Sequence, residues 1–211
     1  DLYGARGWTV HHTTDPWAFT APEGRTVWGM FPMAGPWMVR HAWEHFLFTR
    51  DMNFLASRAF PLMHGSAEFL LDYMVQDPAT GKWVCGPSTS PENTFVVPGG
   101  TQHADLSMGT SMDQWIALDL LTNLVDAARL LDKQGDPVVL RAQEVLQRLA
   151  LPQIGADGRL MEWSQPFQEA EPGHRHMSHM YGLHPGTYIT PEGTPDYAKA
   201  ARKSLEERLR R

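Results

Sequence analysis

The chain has 211 residues, enough for one sizeable core or for part of a larger domain. Its formal net charge of −6 argues against a nucleic-acid partner, which a basic patch would indicate. No stretch approaches the roughly 18 uninterrupted apolar residues of a membrane helix, so no membrane segment is predicted. The composition includes 8 Trp and 10 His, and aromatic faces with scattered polar groups suit sugars.

The chain begins without an initiator Met and ends within a helical pattern, so we expect it to be a piece of a longer protein. The lone Cys85 excludes a disulfide within the chain and leaves the cellular compartment open.

Residues 1–27 are predicted to form a long loop, because Gly and Pro interrupt them and no period is sustained. The side chains of His11, His12 and Asp15 in this loop are possible metal ligands. Their spacing matches no established zinc pattern. A loop that lines a ligand site is therefore favoured over a metal site.

A helical pattern follows from about residue 28 to 49, with one mixed stripe at i, i+4, i+7, i+8 and i+11. The stripe consists of Trp37, His41, Glu44, His45 and Phe48. A buried carboxylate must be paired, so two interpretations stay open. The stripe faces a polar central cavity, or its Glu and His form an internal pair that satisfies itself.

Two helical hairpins are predicted from the remaining periodic segments. The first joins this helix to one over residues 53–75, in which Pro61 predicts a kink or interruption. A turn at 77–81 and a short strand at 82–84 follow. The second hairpin joins a helix at 112–131 to one at 137–149, with Pro137 in a first turn.

The loop Cys85–Phe95 lies between the hairpins and holds a single carboxylate, Glu92, among Pro, Ser and Thr residues. A helical scaffold places chemistry in such loops. Taken alone, this one is more simply interpreted as a connector with a solvated acid.

Residues 150–193 are again predicted as loop, with His174, His176 and His179 as a second candidate metal site. Arg175 argues against that site, because a fixed cation beside a dication is unfavourable. Arg and His together suit recognition of hydroxyl or carboxylate groups. A last helix is predicted to begin at a cap over 194–196, and its basic run 202–211 to be a solvated face.

The predicted fold class is mainly α, with helical hairpins separated by long functional loops. If the hairpins pack around an axis, the loops emerge at one end and share one site.

Several runs in the chain resemble glycoside hydrolase family 95, and the similarity covers essentially all 211 residues. The runs are Gly7-Trp8-x-x-His11-His12-x-Thr14-Asp15-x-Trp17, Trp28-Gly29-Met30-x-Pro32-Met33, Trp43-Glu44-His45, Pro87-Ser88-Thr89-Ser90-Pro91-Glu92-Asn93 and Gly173-His174-Arg175-His176-x-Ser178-His179-x-Tyr181-Gly182-Leu183-x-Pro185-Gly186.

The resemblance implies a central (α/α)6 barrel flanked by β-domains. Residues 1–211 would be a partial catalytic barrel whose N- and C-terminal parts lie elsewhere. It also implies an inverting 1,2-α-L-fucosidase acting on fucosylated oligosaccharides or glycans, without metal or cofactor. A secreted, periplasmic or cell-surface location is compatible with this activity.

By the same resemblance Glu92 is the general acid. A glycosidase acid must hold its proton at neutral pH, and a Pro-lined loop closing on a dry pocket favours that by desolvation. The residues implied to line the sugar pocket are His12, Asp15, Trp17, Trp28, Arg175 and His176.

The family handles the attacking water with an Asn polarised by an Asp, and both are expected outside these 211 residues. Asp15, Asp113 and Glu162 are fallback candidates for the base. Three alternatives stay open: an α-L-galactosidase of the same family, a non-catalytic carbohydrate-binding relative, and a metal hydrolase using the His clusters.

Overall fold

The computed structural model describes residues 2–13 and 15–210, and helices form most of its regular structure. The mainly α prediction is confirmed. The helices of the described residues are α1 Thr26–Gly29, α2 Ala34–Met38, α3 Arg40–Thr49, α4 Met52–Phe54, α5 Phe60–Tyr73, α6 Ser111–Leu130, α7 Pro137–Gln147 and α8 Pro195–Leu209, with a π-helical turn at Leu55–Ala59 and a 3₁₀ turn at Ser178–Gly182.

The predicted helix at 28–49 is broken into α1, α2 and α3. Pro32 has no N–H and cannot continue α1, whereas Pro36 lies in the first turn of α2, where an N–H would have no partner. The chain reverses after α3 at Arg50, which is left-handed with φ 56°. Asp51 then caps α4 by accepting hydrogen bonds from the backbone N–H groups of Asn53 and Phe54.

The predicted interruption at Pro61 is confirmed. The π-helical turn Leu55–Ala59 ends immediately before α5, and Pro61 lies in the first turn of that helix. A proline cannot donate to the carbonyl four residues before it, and a π-type turn accommodates the missing bond.

Helix α6 is the centre of the core. Ile116, Leu120, Leu121 and Leu124 are almost completely buried, and α5, α7 and the 3₁₀ turn pack against this helix. Its partner α7 begins at Pro137, so the second predicted hairpin is confirmed within two residues at each boundary.

The strands are short and surround the loop that carries Glu92. They are β1 Val75–Gln76, β2 Trp83–Val84, β3 Ser88–Thr89, β4 Phe95–Val96, β5 His103–Ala104, β6 Leu106–Ser107 and β7 Gln168–Glu169. Antiparallel pairing joins β1 to β2, β3 to β6, and β4 to both β5 and β7. The predicted strand at 82–84 is therefore present as β2.

The internal Glu–His pair predicted for the mixed stripe on α2 and α3 is wrong, and the other interpretation, a stripe that faces a polar cavity, fits only Trp37 among the described residues. His41, His45 and Phe48 are exposed on the outer face, and Phe48 retains 89% of its accessible surface. Glu44 accepts a hydrogen bond from Arg40 at 3.3 Å and does not pair with a His. Trp37, which lies on α2 before the break at Val39, is the member of the stripe that turns inward, where its ring meets that of Tyr181 edge to face.

Helix α8 departs from its prediction at both ends. Thr194 occupies the N-cap position, but its hydroxyl donates to the carbonyl of Tyr188 at 2.9 Å and does not cap the helix. The prediction of a solvated basic face is wrong at Arg208. This residue is 9% exposed, because it shares the buried side of the helix with Ala201 and Ser204. Arg211 lies outside the described residues.

None of the helices within residues 2–13 and 15–210 is long and apolar enough to cross a membrane.

Asp113 lies in the first turn of α6 and is completely buried. Neither of its carboxylate oxygens accepts a well-formed hydrogen bond from a described residue. Burial raises the pKa of Asp113 to about 7, against a smaller lowering by the nearby hydroxyls of Ser88 and Thr110. The folded chain therefore holds a proton that the unfolded chain, with a pKa of 3.8, releases.

The stabilisation from this proton is complete below the unfolded pKa and is lost as pH rises through about 7. Replacing Asp113 with Asn removes the titration. We expect Asp113→Asn to raise the midpoint of thermal unfolding relative to wild type at pH 8, by roughly 2–4 °C for each kcal/mol relieved. The difference should be smaller at pH 5 and should vanish below about 3.8, where the carboxyl is neutral in both the folded and the unfolded chain.

Asp126→Asn is the matched control, because Asp126 is on the same helix and pairs with Arg129 at the surface. A difference between Asp113→Asn and wild type that is equal at pH 5 and pH 8 would contradict the assignment.

Candidate active site

Glu92 lies in the loop between β3 and β4, with its side chain 23% exposed. Its Oε2 accepts a hydrogen bond from Nη2 of Arg175 and lies 3.6 Å from Nε2 of His176. Two motifs that are 83 residues apart in the chain thus meet at one carboxylate. The sole acid of the loop Cys85–Phe95 is not a freely solvated side chain.

The loop around Glu92 is held by backbone and side-chain contacts on both sides. Strand β3 pairs with β6, and Thr89 donates to the carbonyl of Met30 at 3.2 Å. The backbone N–H of Asn93 donates to the carbonyl of Ser90 at 2.7 Å, which closes a turn around Glu92. Ser178 donates to the carbonyl of Pro91. These contacts attach the turn to segments before and after it in the chain.

A cavity of about 300 Å³ opens beside Glu92, at the small end of the range of about 300–1,000 Å³ found for ligand pockets. Aromatic and imidazole rings dominate its wall, with one carboxylate among them. The polar and aromatic lining residues are His12, Trp37, Glu92, His176, Ser178, Tyr181 and His184. Rings for stacking together with a few hydrogen-bonding groups suit a sugar-sized ligand.

Tyr181 is fixed in this wall by a buried polar cluster on α6. Its hydroxyl donates to Asp119 at 3.1 Å, as does the hydroxyl of Tyr188. Arg40 donates to both oxygens of the same carboxylate, at 2.9 and 2.7 Å. Burial raises the pKa of Tyr181 above its ordinary value, and the charge of Asp119 raises it further. Tyr181 therefore presents a neutral phenol ring to the cavity.

Of the site residues predicted from the sequence, Glu92, His12 and His176 come together at the cavity. Arg175 reaches Glu92, but 67% of its side chain is exposed. His12 is oriented through Nδ1 by the carbonyl of Trp28.

Asp15, Trp17 and Trp28 are not among the residues that line this cavity. Oδ1 of Asp15 accepts hydrogen bonds from the backbone N–H groups of Trp17 and Phe19, so it shapes its own loop. Trp17 is 85% exposed, and Trp28 is half exposed beneath the guanidinium of Arg25. Thr14 of the same motif lies outside the described residues. The part that these side chains take in binding stays a prediction.

Two of the fallback bases, Asp113 and Glu162, are buried, and neither lines the cavity. Glu162 instead contacts Ser90 and Asn93, the residues around the acid's turn. Neither carboxylate is placed to activate a water in the cavity.

The lining positions of Tyr181 and His184 and the burial of Arg208 were not predicted, and Trp37 was predicted only as part of a stripe with two open interpretations. Tyr181 is one of the positions of the motif Gly173–Gly186, and His184 lies between two of its positions. The burial of Arg208 could have been predicted from the helical period, because Ala200, Ser204 and Arg208 are spaced by four residues and share one face.

Over residues 1–211 the chain matches the glycosyl hydrolase family 95 catalytic domain. The chain belongs to glycosyl hydrolase family 95. It is similar to Alpha-L-fucosidase 2 of Arabidopsis thaliana, with 39% identity over 207 residues and 98% of this chain. It is also similar to Probable alpha-fucosidase A of Aspergillus niger, with 26% identity over 196 residues and 90% of this chain. The chain spans 24% of the length of each relative.

The family 95 resemblance inferred from the motifs is thus confirmed. The two His-rich segments of this family 95 chain do not form a metal cluster: among residues 2–13 and 15–210, no three His, Cys, Asp or Glu side chains are arranged to hold an ion. His11 is engaged with the hydroxyl of Tyr3 at 2.8 Å and with the backbone N–H of Phe31 at 3.2 Å. Nδ1 of His174 accepts the backbone N–H of His176 at 3.2 Å.

We predict that the Asp119 cluster is a main support of the cavity wall. Asp119→Asn should lower the free energy of unfolding by about 3 kcal/mol, because it leaves the mostly buried guanidinium of Arg40 with only the more exposed Glu44 as a counter-charge among the described residues. Denaturant unfolding measures this loss. Asp126→Asn on the same helix breaks only an exposed pair and should cost less than about 1 kcal/mol. Equal losses in the two variants would mean that the cluster contributes nothing beyond a surface ion pair.

Proposed function

We propose that this chain is part of the catalytic domain of an inverting exo-α-L-fucosidase, and that Glu92 is its general acid. The activity would release terminal α-1,2-linked L-fucose from oligosaccharides or glycans. The observation that carries the proposal is the position of Glu92, which lines an aromatic cavity and contacts Arg175 and His176 in a family 95 chain. The fucosidase names of the two relatives support the substrate class.

We also propose that the helices belong to an (α/α)6 barrel whose other part, with flanking β-domains, is supplied by the rest of the protein. Two features support this architecture. The helices α6 and α7 pack as a hairpin, and loops from residues 8–28, 85–95 and 173–186 carry the groups that surround Glu92. A helical barrel collects such loops at one end.

The proposed reaction needs one proton delivered and one water activated. Protonated Glu92 donates its proton to the glycosidic oxygen as the bond from that oxygen to the anomeric carbon breaks. A water attacks the same carbon from the opposite face and loses its proton to a base. In inverting enzymes the two carboxyl or equivalent groups stand roughly 6.5–9.5 Å apart, which leaves room for the water.

The base is proposed to be an Asn polarised by an Asp, both in the remainder of the protein. Asp113 and Glu162 are buried away from the cavity, which supports placing the base elsewhere. The 211 residues alone are accordingly proposed to lack turnover.

Sugar contacts are proposed for His12, Arg175 and His176 through hydroxyl hydrogen bonds, and for Trp17 and Trp28 through stacking. Arg175 is mostly exposed, so its guanidinium can turn from Glu92 to a sugar hydroxyl without uncovering the core. The exposed indole faces of Trp17 and Trp28 are available for a saccharide unit outside the cavity. Asp15 is proposed to accept from a hydroxyl with the oxygen that does not shape its loop.

Replacing Glu92 with Gln in the full-length protein should reduce fucose release from 2′-fucosyllactose by roughly 10²–10⁴-fold, the usual contribution of general acid catalysis. Binding of the trisaccharide should remain measurable by calorimetry, since Gln keeps the shape of the side chain. Glu192→Gln provides the control, because Glu192 is an exposed carboxylate in a loop. Near-normal turnover of Glu92→Gln would remove Glu92 from the acid role.

The inverting stereochemistry is tested by the first product formed. Proton NMR of the full-length enzyme at early times should show β-L-fucose before mutarotation, because direct attack by water inverts the α-linked carbon. Initial appearance of the α-anomer would indicate a two-step retaining mechanism and contradict the proposal.

A further inference from the structure

A second carboxylate, Glu162, lies directly behind the turn that carries Glu92. Its Oε1 accepts from the hydroxyl of Ser90 at 2.8 Å and its Oε2 accepts from Nδ2 of Asn93 at 3.1 Å. These two residues flank the Pro91-Glu92 dipeptide on either side. One buried carboxylate thus holds both ends of the turn from which the proposed acid projects.

Arg208 connects this clamp to the opposite side of the site. Its Nη2 donates to Oε2 of Glu162 at 2.7 Å, and its Nη1 donates to the carbonyl of His174 at 3.1 Å. His174 immediately precedes Arg175 and His176, the two groups that contact Glu92. A single guanidinium therefore links the turn of the acid to the segment of its contact residues, in addition to the direct hydrogen bond from Ser178 to Pro91.

Glu169 completes the cluster. Its Oε2 lies 2.8 Å from Nη2 of Arg208 and accepts from Nδ2 of Asn93 at 3.3 Å, and Arg159 lies 3.7 Å from its other oxygen. Burial raises the pKa of both Glu162 and Glu169 above its ordinary value, and the charge of Arg208 opposes this shift only in part. The hydrogen-bonding neighbours of Glu162 are donors, which is the environment of an ionised carboxylate.

His179 is closely packed against the same cluster without adding charge. Its Nδ1 lies 3.4 Å from Oε2 of Glu162, and the side chain is 4% exposed. Burial lowers the pKa of His179 to about 4, with the charge of Arg208 acting in the same direction. At neutral pH His179 therefore adds no charge, and the cations packed against the two carboxyl groups are the guanidinium groups of Arg208 and Arg159.

Buried ion pairs of this kind add little net stability, because desolvation offsets their attraction. Their contribution is to orientation, because charge-assisted hydrogen bonds hold their partners in one geometry.

We propose that Glu162, together with Arg208, is a positioning residue that aims Glu92 at the leaving oxygen of the substrate. This inference rests on the proposed function of Glu92 as general acid. Glu162 does not line the cavity, and it reaches Glu92 indirectly, through the side chains of Ser90 and Asn93 and through Arg208. A displacement of about 1 Å in a catalytic group costs as much as 10²-fold in rate.

A positioning role has a kinetic signature that a general loss of structure lacks. Misplacing the acid slows substrates whose leaving oxygen needs a proton, such as the lactose oxygen of 2′-fucosyllactose. It has much less effect on α-L-fucosyl fluoride, because fluoride departs with little protonation. Damage to the fold or to the sugar pocket reduces both reactions alike.

The test compares Glu162→Gln with wild type in the full-length enzyme on these two substrates. Gln keeps the size of the side chain but loses the charge that faces Arg208, and its amide NH₂ opposes a donor of the turn. We expect kcat for 2′-fucosyllactose to fall by about 10- to 100-fold, with little change in KM. The rate with α-L-fucosyl fluoride should fall only a few-fold.

Glu206→Gln is the matched control, because Glu206 is on α8 near Arg208 but pairs with Arg202 at the surface. Equal losses of Glu162→Gln on the two substrates, or no loss on either, would overturn the positioning role. Glu92→Gln is measured in the same assays as Glu162→Gln. It should show a larger loss on 2′-fucosyllactose relative to α-L-fucosyl fluoride than Glu162→Gln does. If only Glu92→Gln shows this preference, the acid assignment stands and the inference about Glu162 fails. If Glu92→Gln is active on both substrates, the proposed function itself fails.

Ser90→Ala keeps the test decisive if Glu162→Gln does not fold. This variant removes one hydrogen bond of the clamp and leaves the buried charges in place. Ser90→Ala should also lose activity selectively on 2′-fucosyllactose, by a smaller factor than Glu162→Gln. An equal effect on both substrates, or none, would overturn the proposal.

Discussion

The buried guanidinium of Arg208 is the contact on which the arrangement of the candidate site depends. It lies near the end of α8 and reaches the carboxylates of Glu162 and Glu169 and the carbonyl of His174. The Glu92 turn and the Arg175 segment are joined directly, where Ser178 donates to the carbonyl of Pro91, and a second time through Arg208. The ion contact between Glu92 and Arg175 is therefore supported by the cluster beneath it.

A second polar cluster, around Asp119, plays the corresponding part on the other side of the cavity. Asp119 projects from α6, pairs with Arg40, and accepts the hydroxyls of Tyr181 and Tyr188. The cavity thus lies between two buried carboxylate–guanidinium centres, one on a loop and one on the central helix. Each centre holds groups from distant parts of the chain in a defined orientation. Apolar packing is less directional than these charge-assisted hydrogen bonds.

Much of the fold was predictable because its signals are local. The hairpin α6–α7, the interruption before Pro61, the strand at Trp83 and the long polar loops follow from periodicity and from the backbone limits of Pro and Gly. The mixed stripe on α3 was misinterpreted, since a helical stripe shows which residues share a face but not what the face meets. The break at Val39 also separated Trp37 from the other residues of that stripe.

For the candidate site, the sequence by itself determined the segments that would carry chemistry, the family of the chain, and Glu92 as the lone acid of its loop. Its motifs also identified His12 and His176, which meet at the cavity. Only the tertiary structure decided that Arg208 turns inward, that Glu162 clamps the acid's turn, and that Trp17 and Trp28 lie outside the cavity wall. The physical reason is that local propensity depends on a few neighbouring residues. The burial and partners of a charged side chain depend instead on groups that folding brings from 34 to 83 residues away.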